Sequence, residues 1–241
     1  MAARNPFEPR KVVSRRGGTV KPPLSRDLVV DTALDLLTRD GLEGMSLRRV
    51  ASALDTGAAS LYVYVKDLQE LEALVLDRAL GRVRTGVARG KPWRERLHAV
   101  LASYARVLFG NPGLAQLAMR TIAAGPHALR LVETLLGILE EGGVDESTSA
   151  WAVDLLLLYV TAIAAEQSQR DQRADPMGTI ASVIGEVSEA DYPRVHRVRK
   201  ALLSGGGRER FTWALEVLIE GVLRTSRRGP GTTTTKHSGT K

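Results

Sequence analysis

Between Ser46 and Lys66 the chain gathers side chains suited to a nucleic-acid surface: Ser46, Arg48, Arg49, Ala58, Ala59, Ser60, Tyr62, Tyr64 and Lys66. A guanidinium such as that of Arg48 can pair bidentately with a guanine edge, and alanine methyls can meet thymine methyls. Hydroxyls and a lysine can bond to phosphate oxygens, which positions a protein without reading sequence. The run Ala58-Ala59-Ser60 is small enough for its backbone to approach base edges closely. On an arbitrary amphipathic helix the two arginines would be a solvated face and the tyrosines part of a core. The elements around them decide between these readings.

Those elements read as a sequence of short helices. Ser25 is placed to cap a helix carrying Val29, Ala33, Leu36 and Leu37 at helical spacing, and Gly41 is suited to end it. Ser46 caps a second helix, Leu47 to Leu54, with Leu47, Val50, Ala51 and Leu54 turned inward. A break at Asp55-Thr56-Gly57 precedes a very short third segment, Ala58 to Tyr64. Asp67 then caps a fourth helix bearing Leu71, Leu74, Val75 and Leu76. Two short helices across a tight turn make a helix-turn-helix, in which the second must be short and exposed to enter a major groove. Leu61 joins the shared core. Arg48, Arg49, Ala58, Ala59, Ser60, Tyr62 and Tyr64 are expected to face outward.

The ordered run Ala33-Leu34-x-Leu36-Leu37, Gly41-Leu42, Met45 to Ala51, Leu54 and Ser60-Leu61-Tyr62-x-Tyr64-Val65-Lys66 resembles the DNA-binding domain of TetR-family regulators. The match covers about residues 24–80. The resemblance implies that Ser60 contacts the DNA backbone, that Tyr62 packs against or bonds to a phosphate, and that Arg48 reads a base. Three positions depart from the family's pattern. Asp55 stands where glycine is usual in the turn, Tyr64 where histidine follows Leu-Tyr-x, and Leu68 where lysine begins the fourth helix. The last change shifts a phosphate contact toward Lys66 or the N-terminal arm.

Beyond residue 85 the chain reads as further helices, at about 93–108, 113–123, 126–141, 145–172, 176–189, 193–203 and 208–225, punctuated by Gly and Pro. The expected fold is all-α: a three-helix helix-turn-helix domain at 24–80 and a larger helical bundle at 81–225, with a basic flexible arm at 1–23 and a disordered basic tail at 226–241. Pro92-Trp93-Arg94-Glu95-Arg96-Leu97 and Asn111-Pro112-Gly113-Leu114 resemble the tetracycline-repressor type of C-terminal domain. That resemblance implies dimerisation and a small-molecule effector. The helices at 145–172 and 208–225 are apolar on more than one face, so each must be covered on several sides. Leu156, Val160, Ile163, Leu215, Leu218 and Val222 are the expected homodimer positions, in a four-helix bundle formed with a second copy. The candidate effector pocket is Leu101, Tyr104, Met119, Ile122, His127, Leu131, Trp151 and Leu155, apolar walls with a few polar groups.

The net charge of +7 is concentrated at the ends. Residues 1–26 hold seven Arg and Lys against Glu8, and residues 224–241 hold five basic residues and no acid. Such arms either touch phosphates or remain solvated. With no cysteine, disulfides and thiolate zinc sites are excluded. No run of 18 consecutive apolar residues and no apolar segment near Met1 occur, so a cytoplasmic protein with no membrane partner is expected. Four scattered histidines and no Gly-rich phosphate loop assemble no catalytic set, and no cofactor or metal is expected. The leading expectation is a dimeric repressor of palindromic double-stranded operator DNA, released by a small, largely apolar effector. A ligand-independent or architectural DNA binder and a helical-bundle enzyme are the alternatives.

Overall fold

A computed structural model describes residues 5–8, 23–86, 90–171 and 176–225. The tail expected at 226–241, and most of the arm expected at 1–23, lie outside the described residues. Every regular element among the described residues is helical. The first four are α1 (Arg26–Gly44), α2 (Leu47–Ala53), α3 (Ala58–Leu61) and α4 (Leu68–Leu80). The body follows as α5 (Trp93–Phe109), α6 (Pro112–Arg120), α7 (Pro126–Glu141) and α8 (Glu146–Asp171), then α9 (Pro176–Gly185), α10 (Pro193–Leu203) and α11 (Gly207–Arg224).

The caps are those the sequence announces. Ser25 Oγ accepts from the Leu28 amide, Ser46 Oγ from Arg49 and Asp67 Oδ1 from Glu70, each satisfying a donor that has no partner within its helix. Gly41, at φ 70°, interrupts α1 where the sequence places its end. In the turn after α2, Asp55 takes φ 49° and is the one non-glycine residue at positive φ among those described. The short polar side chain tolerates a left-handed conformation that would strain a branched one.

The headpiece is built on α1, against which α2 and α4 pack, with α3 lying on α2. Its core is Val29, Ala33, Leu37, Val50, Leu61, Val65, Leu71 and Val75, all fully buried. The body centres on α8, which packs against α5, α6 and α7. By length and composition α8 would suffice to cross a bilayer, but half of its most apolar stretch is buried within the protein. α9 and α10 pack against each other, and α11 lies along α8.

Headpiece and body meet where α1 touches α6 and α4 touches α6 and α7. Gly113 of α6 lies so close to α1 that a β-carbon there would stand 2.8 Å from Leu37 Cδ1 and 3.0 Å from the Leu37 carbonyl oxygen. The buried Asp77 of α4 accepts from the Ala128 and His127 amides, each at 3.0 Å, and meets His127 Nδ1 at 2.9 Å. A carboxylate at the positive end of α7 is favoured by the helix dipole. Glu72, also buried, is paired with Arg120 of α6. Two helices therefore carry the links between the two halves, α1 by close packing on α6 and α4 by its buried carboxylates. Asn5–Glu8, expected within a flexible arm, instead docks on this junction: Arg26 donates to the carbonyls of Glu8 and Pro6 as well as to Glu70.

Candidate nucleic-acid interface

Leu61 sets the geometry of the interface. It is 0% exposed and roots α3 in the headpiece core, so the residues around it are sorted by their angle from it. Ala59 faces solvent, and Ala58 and Ser60 are half-buried at the rim. Tyr62 and Val63 project outward, with 56% and 53% of their surface exposed. A four-residue helix with small side chains at its start and an aromatic at its end presents backbone and methyl groups on one convex edge.

Tyr64 corrects the sequence reading. It is 5% exposed, and its hydroxyl donates to the Leu24 carbonyl at 2.8 Å, tying the start of α1 to the end of the helix-turn-helix. The spacing contains the reason: Tyr64 lies three residues beyond Leu61, on the same inward side. Val63, which the sequence reading did not select, takes the outward place next to Tyr62. Alternation of polarity could not have found it; only the phase set by Leu61 could.

The two arginines of α2 are both exposed but are not equivalent. Arg49 donates to Asp40 Oδ2 at 2.5 Å, and Arg39 holds the same carboxylate at 2.8 Å. The Arg39 hydrogen bond, helped by the positive charges of Arg39 and Arg49, holds the Asp40 carboxyl below the usual carboxylate range. Arg48 forms no ion pair among the described residues, so its guanidinium is available to a base edge. Ser46 stands beside it with its hydroxyl committed to the α2 cap. Lys66 is exposed, its amide donating to Glu70 at 2.7 Å and its ammonium 3.7 Å from Asp67. Arg48, the start of α3, Tyr62 and Lys66 thus lie around one small core, the layout of a reading helix braced by its predecessor.

The chain belongs to the TetR family. The family model described as tetracyclin repressor-like, C-terminal domain, matches residues 87–226. An HTH-type transcriptional regulator of Saccharopolyspora erythraea is 35% identical over 176 residues, covering 72% of this chain and 74% of that one. The HTH-type transcriptional repressor DrrR1 of Streptomyces coeruleorubidus is 30% identical over 188 residues, covering 77% and 67%. The solved structure of the Streptomyces coelicolor TetR family protein ActR with actinorhodin superposes with a TM-score of 0.77 at 32% identity, covering 84% of this chain and 97% of that one.

For a TetR-family chain the body should hold the dimer and effector surfaces, and here the structure corrects the sequence more deeply. Leu156, Val160 and Leu215 are core residues of one protomer, and Ile163, Leu218 and Val222 are half-buried. The exposed apolar face of α8 is instead Trp151, Leu155 and Leu158, at i, i+4 and i+7. On α11 it is Trp213, 68% exposed, and Val217. Three of the six expected positions are thus buried within the protomer, while other apolar residues of the same two helices lie exposed. Tyr159 and Phe211 stack at 5.9 Å between ring centres, which fixes the two helices side by side with these faces outward.

The eight expected pocket residues do not line one cavity. Leu101, Tyr104 and Leu131 are buried in the body. Met119, in the last turn of α6, and Ile122, just past it and 87% exposed, lie at the surface, and Trp151 and Leu155 belong to the exposed face just described. His127 is held by Asp77 at the junction. The polar feature of the buried group is Tyr104, whose hydroxyl meets Thr161 Oγ1 at 2.7 Å. Burial pushes its phenol above the usual tyrosine range, partly offset by that hydrogen bond.

Proposed function

We propose that this TetR-family regulator is a homodimeric, sequence-specific repressor that a small, largely apolar effector releases from its operator. The observation that carries the reading is the rooted α3: Leu61 buried, Ala59 and Tyr62 outward, Arg48 unpaired beside them. Ser60 and Tyr62 hold phosphates and Arg48 reads a base edge. Lys66 adds a cation beside them. The resemblance of the chain to DrrR1, a transcriptional repressor, supports repression rather than activation.

A lone headpiece offers one reading helix. A second copy across the face of Trp151, Leu155, Leu158, Trp213 and Val217 supplies the other, matching a palindrome with half-sites about one DNA turn, roughly 34 Å, apart. Exposed apolar residues, two tryptophans among them, on two helices that pack together are what a symmetric interface buries. The effector acts on the body and shifts the spacing of the reading helices through the junction at α4, by binding one of two dimer states better than the other. That ActR was solved with actinorhodin supports a small-molecule effector here. The Tyr104–Thr161 pair is the polar group such a ligand would engage inside an otherwise apolar core.

The test is retardation of the promoter beside the chain's own gene. A salt-sensitive, sequence-dependent shift by a dimer is expected; binding that ignores sequence, or a monomer that shifts DNA equally well, ends the proposal. The closed packing around Tyr104 favours a second reading, a ligand-independent DNA binder. Calorimetry with actinorhodin and a panel of small apolar compounds separates the two: heat of binding together with loss of the shift supports the first, and retained DNA binding at saturation supports the second.

A further inference from the structure

One cleft, of about 330 Å³, opens on the seam between headpiece and body, away from the reading face. Thr38 of α1, Arg82 and Arg84 after α4, Ser103 and Arg106 of α5, and Asn111 before α6 are among its lining residues, and none of the lining residues is acidic. Nearby arginines are matched to carboxylates: within the headpiece Arg26 to Glu70 and Arg78 to Asp27 and Asp31, and across the seam Arg120 to Glu72. In the cleft, Arg82, Arg84 and Arg106 form no ion pair with any described residue. Arg106 uses only its Nε, on its own helix at the Ala102 carbonyl. Three exposed guanidiniums around one concavity make a positive site that a small anion can share.

A neutral feature points the same way. Ser103 is 4% exposed; its oxygen accepts from the Arg84 amide at 2.9 Å, which leaves its O–H free to donate into the site.

We infer that this cleft binds a small anion bearing phosphate or carboxylate groups, held by Arg82, Arg84, Arg106 and the Ser103 hydroxyl. The site is not a DNA contact: α4 separates it from Lys66 by thirteen residues, about 20 Å of helix. Its walls come from α1 and the end of α4 on one side and from α5 and the start of α6 on the other. An occupant therefore ties headpiece to body and biases the angle between them. That regulatory consequence rests on the DNA-binding reading; the binding itself does not.

The experiment uses the full chain and two probes, pyrophosphate and citrate, each against sodium chloride at matched ionic strength. At ten times the dissociation constant a bound anion raises the thermal midpoint by about 3–6 °C. Arg106→Gln, and Arg82→Gln with Arg106→Gln, should each weaken binding about tenfold or more. Arg130→Gln, on the solvent side of α7, should leave it unchanged. Citrate binding without pyrophosphate assigns the site to carboxylates, and the reverse assigns it to phosphates. Either result supports the inference, as does binding of both. Equal midpoints in probe and chloride overturn it, as does an undiminished shift in a folded Arg106→Gln protein. Operator affinity measured without added anion should match wild type in these variants. A selective loss there would assign the arginines to DNA and equally overturn the inference, whereas failure of every chain, wild type included, to bind DNA would count against the repressor reading alone.

Discussion

The headpiece and the body of this chain are built from the same kinds of residue, yet they differ in how each helix's orientation is set. In the headpiece, three of the four helices start at side-chain caps, and one anchoring leucine fixes which residues of the remaining one, α3, point out. In the body, α8 is apolar around most of its circumference, so nothing within the helix says which side faces the protein. Short, capped helices carry their own phase; long apolar ones receive it from their neighbours.

Predictions that bear on this contrast run from large effects to small. Leu61→Ala and Leu156→Ala should each cost about 2–5 kcal/mol in urea unfolding, because both side chains are fully buried within a protomer. A dimer-specific loss for Leu156→Ala, with no loss of protomer stability, would restore it to the interface. Leu158→Glu combined with Trp213→Glu should weaken dimerisation at least a hundredfold by sedimentation while helical circular dichroism persists, since both side chains are exposed on the proposed interface. An undisturbed dimer would move the interface elsewhere.

Smaller effects separate roles within the headpiece. Arg48→Ala should remove about 1–3 kcal/mol of discrimination between operator and mismatched sites in competition assays, and Arg49→Ala, whose charge is already engaged by Asp40, should remove less. Uniform weakening on all DNA would make Arg48 a phosphate contact. Tyr64→Phe should cost about 1 kcal/mol of stability by leaving the Leu24 carbonyl without its donor, with the salt dependence of DNA binding unchanged. Tyr62→Phe should do the reverse, reducing DNA affinity with stability held within about 0.5 kcal/mol.

Much of this was legible in the residues themselves. Ser25, Ser46 and Asp67 announce three helix starts, Gly41 a break, and Asp55 a left-handed turn, because caps and turns are satisfied within a few residues of chain. The helix-turn-helix followed from them. The misplacement of Tyr64 was a failure to carry the phase of Leu61 forward by three residues, information that was present in the spacing.

What the amino-acid order determined by itself is the run of helices, the position of the reading segment and the clustering of basic residues at the two ends. Only the tertiary structure decided that Trp151, Leu155 and Leu158 are the outer face of α8, that Arg49 is already paired while Arg48 is not, and that two arginines after α4 and one on α5 line one cleft. The physical reason is range: hydrogen bonds in caps and turns join near neighbours, whereas burial of a uniformly apolar helix and the meeting of charges carried on different helices depend on how the elements pack.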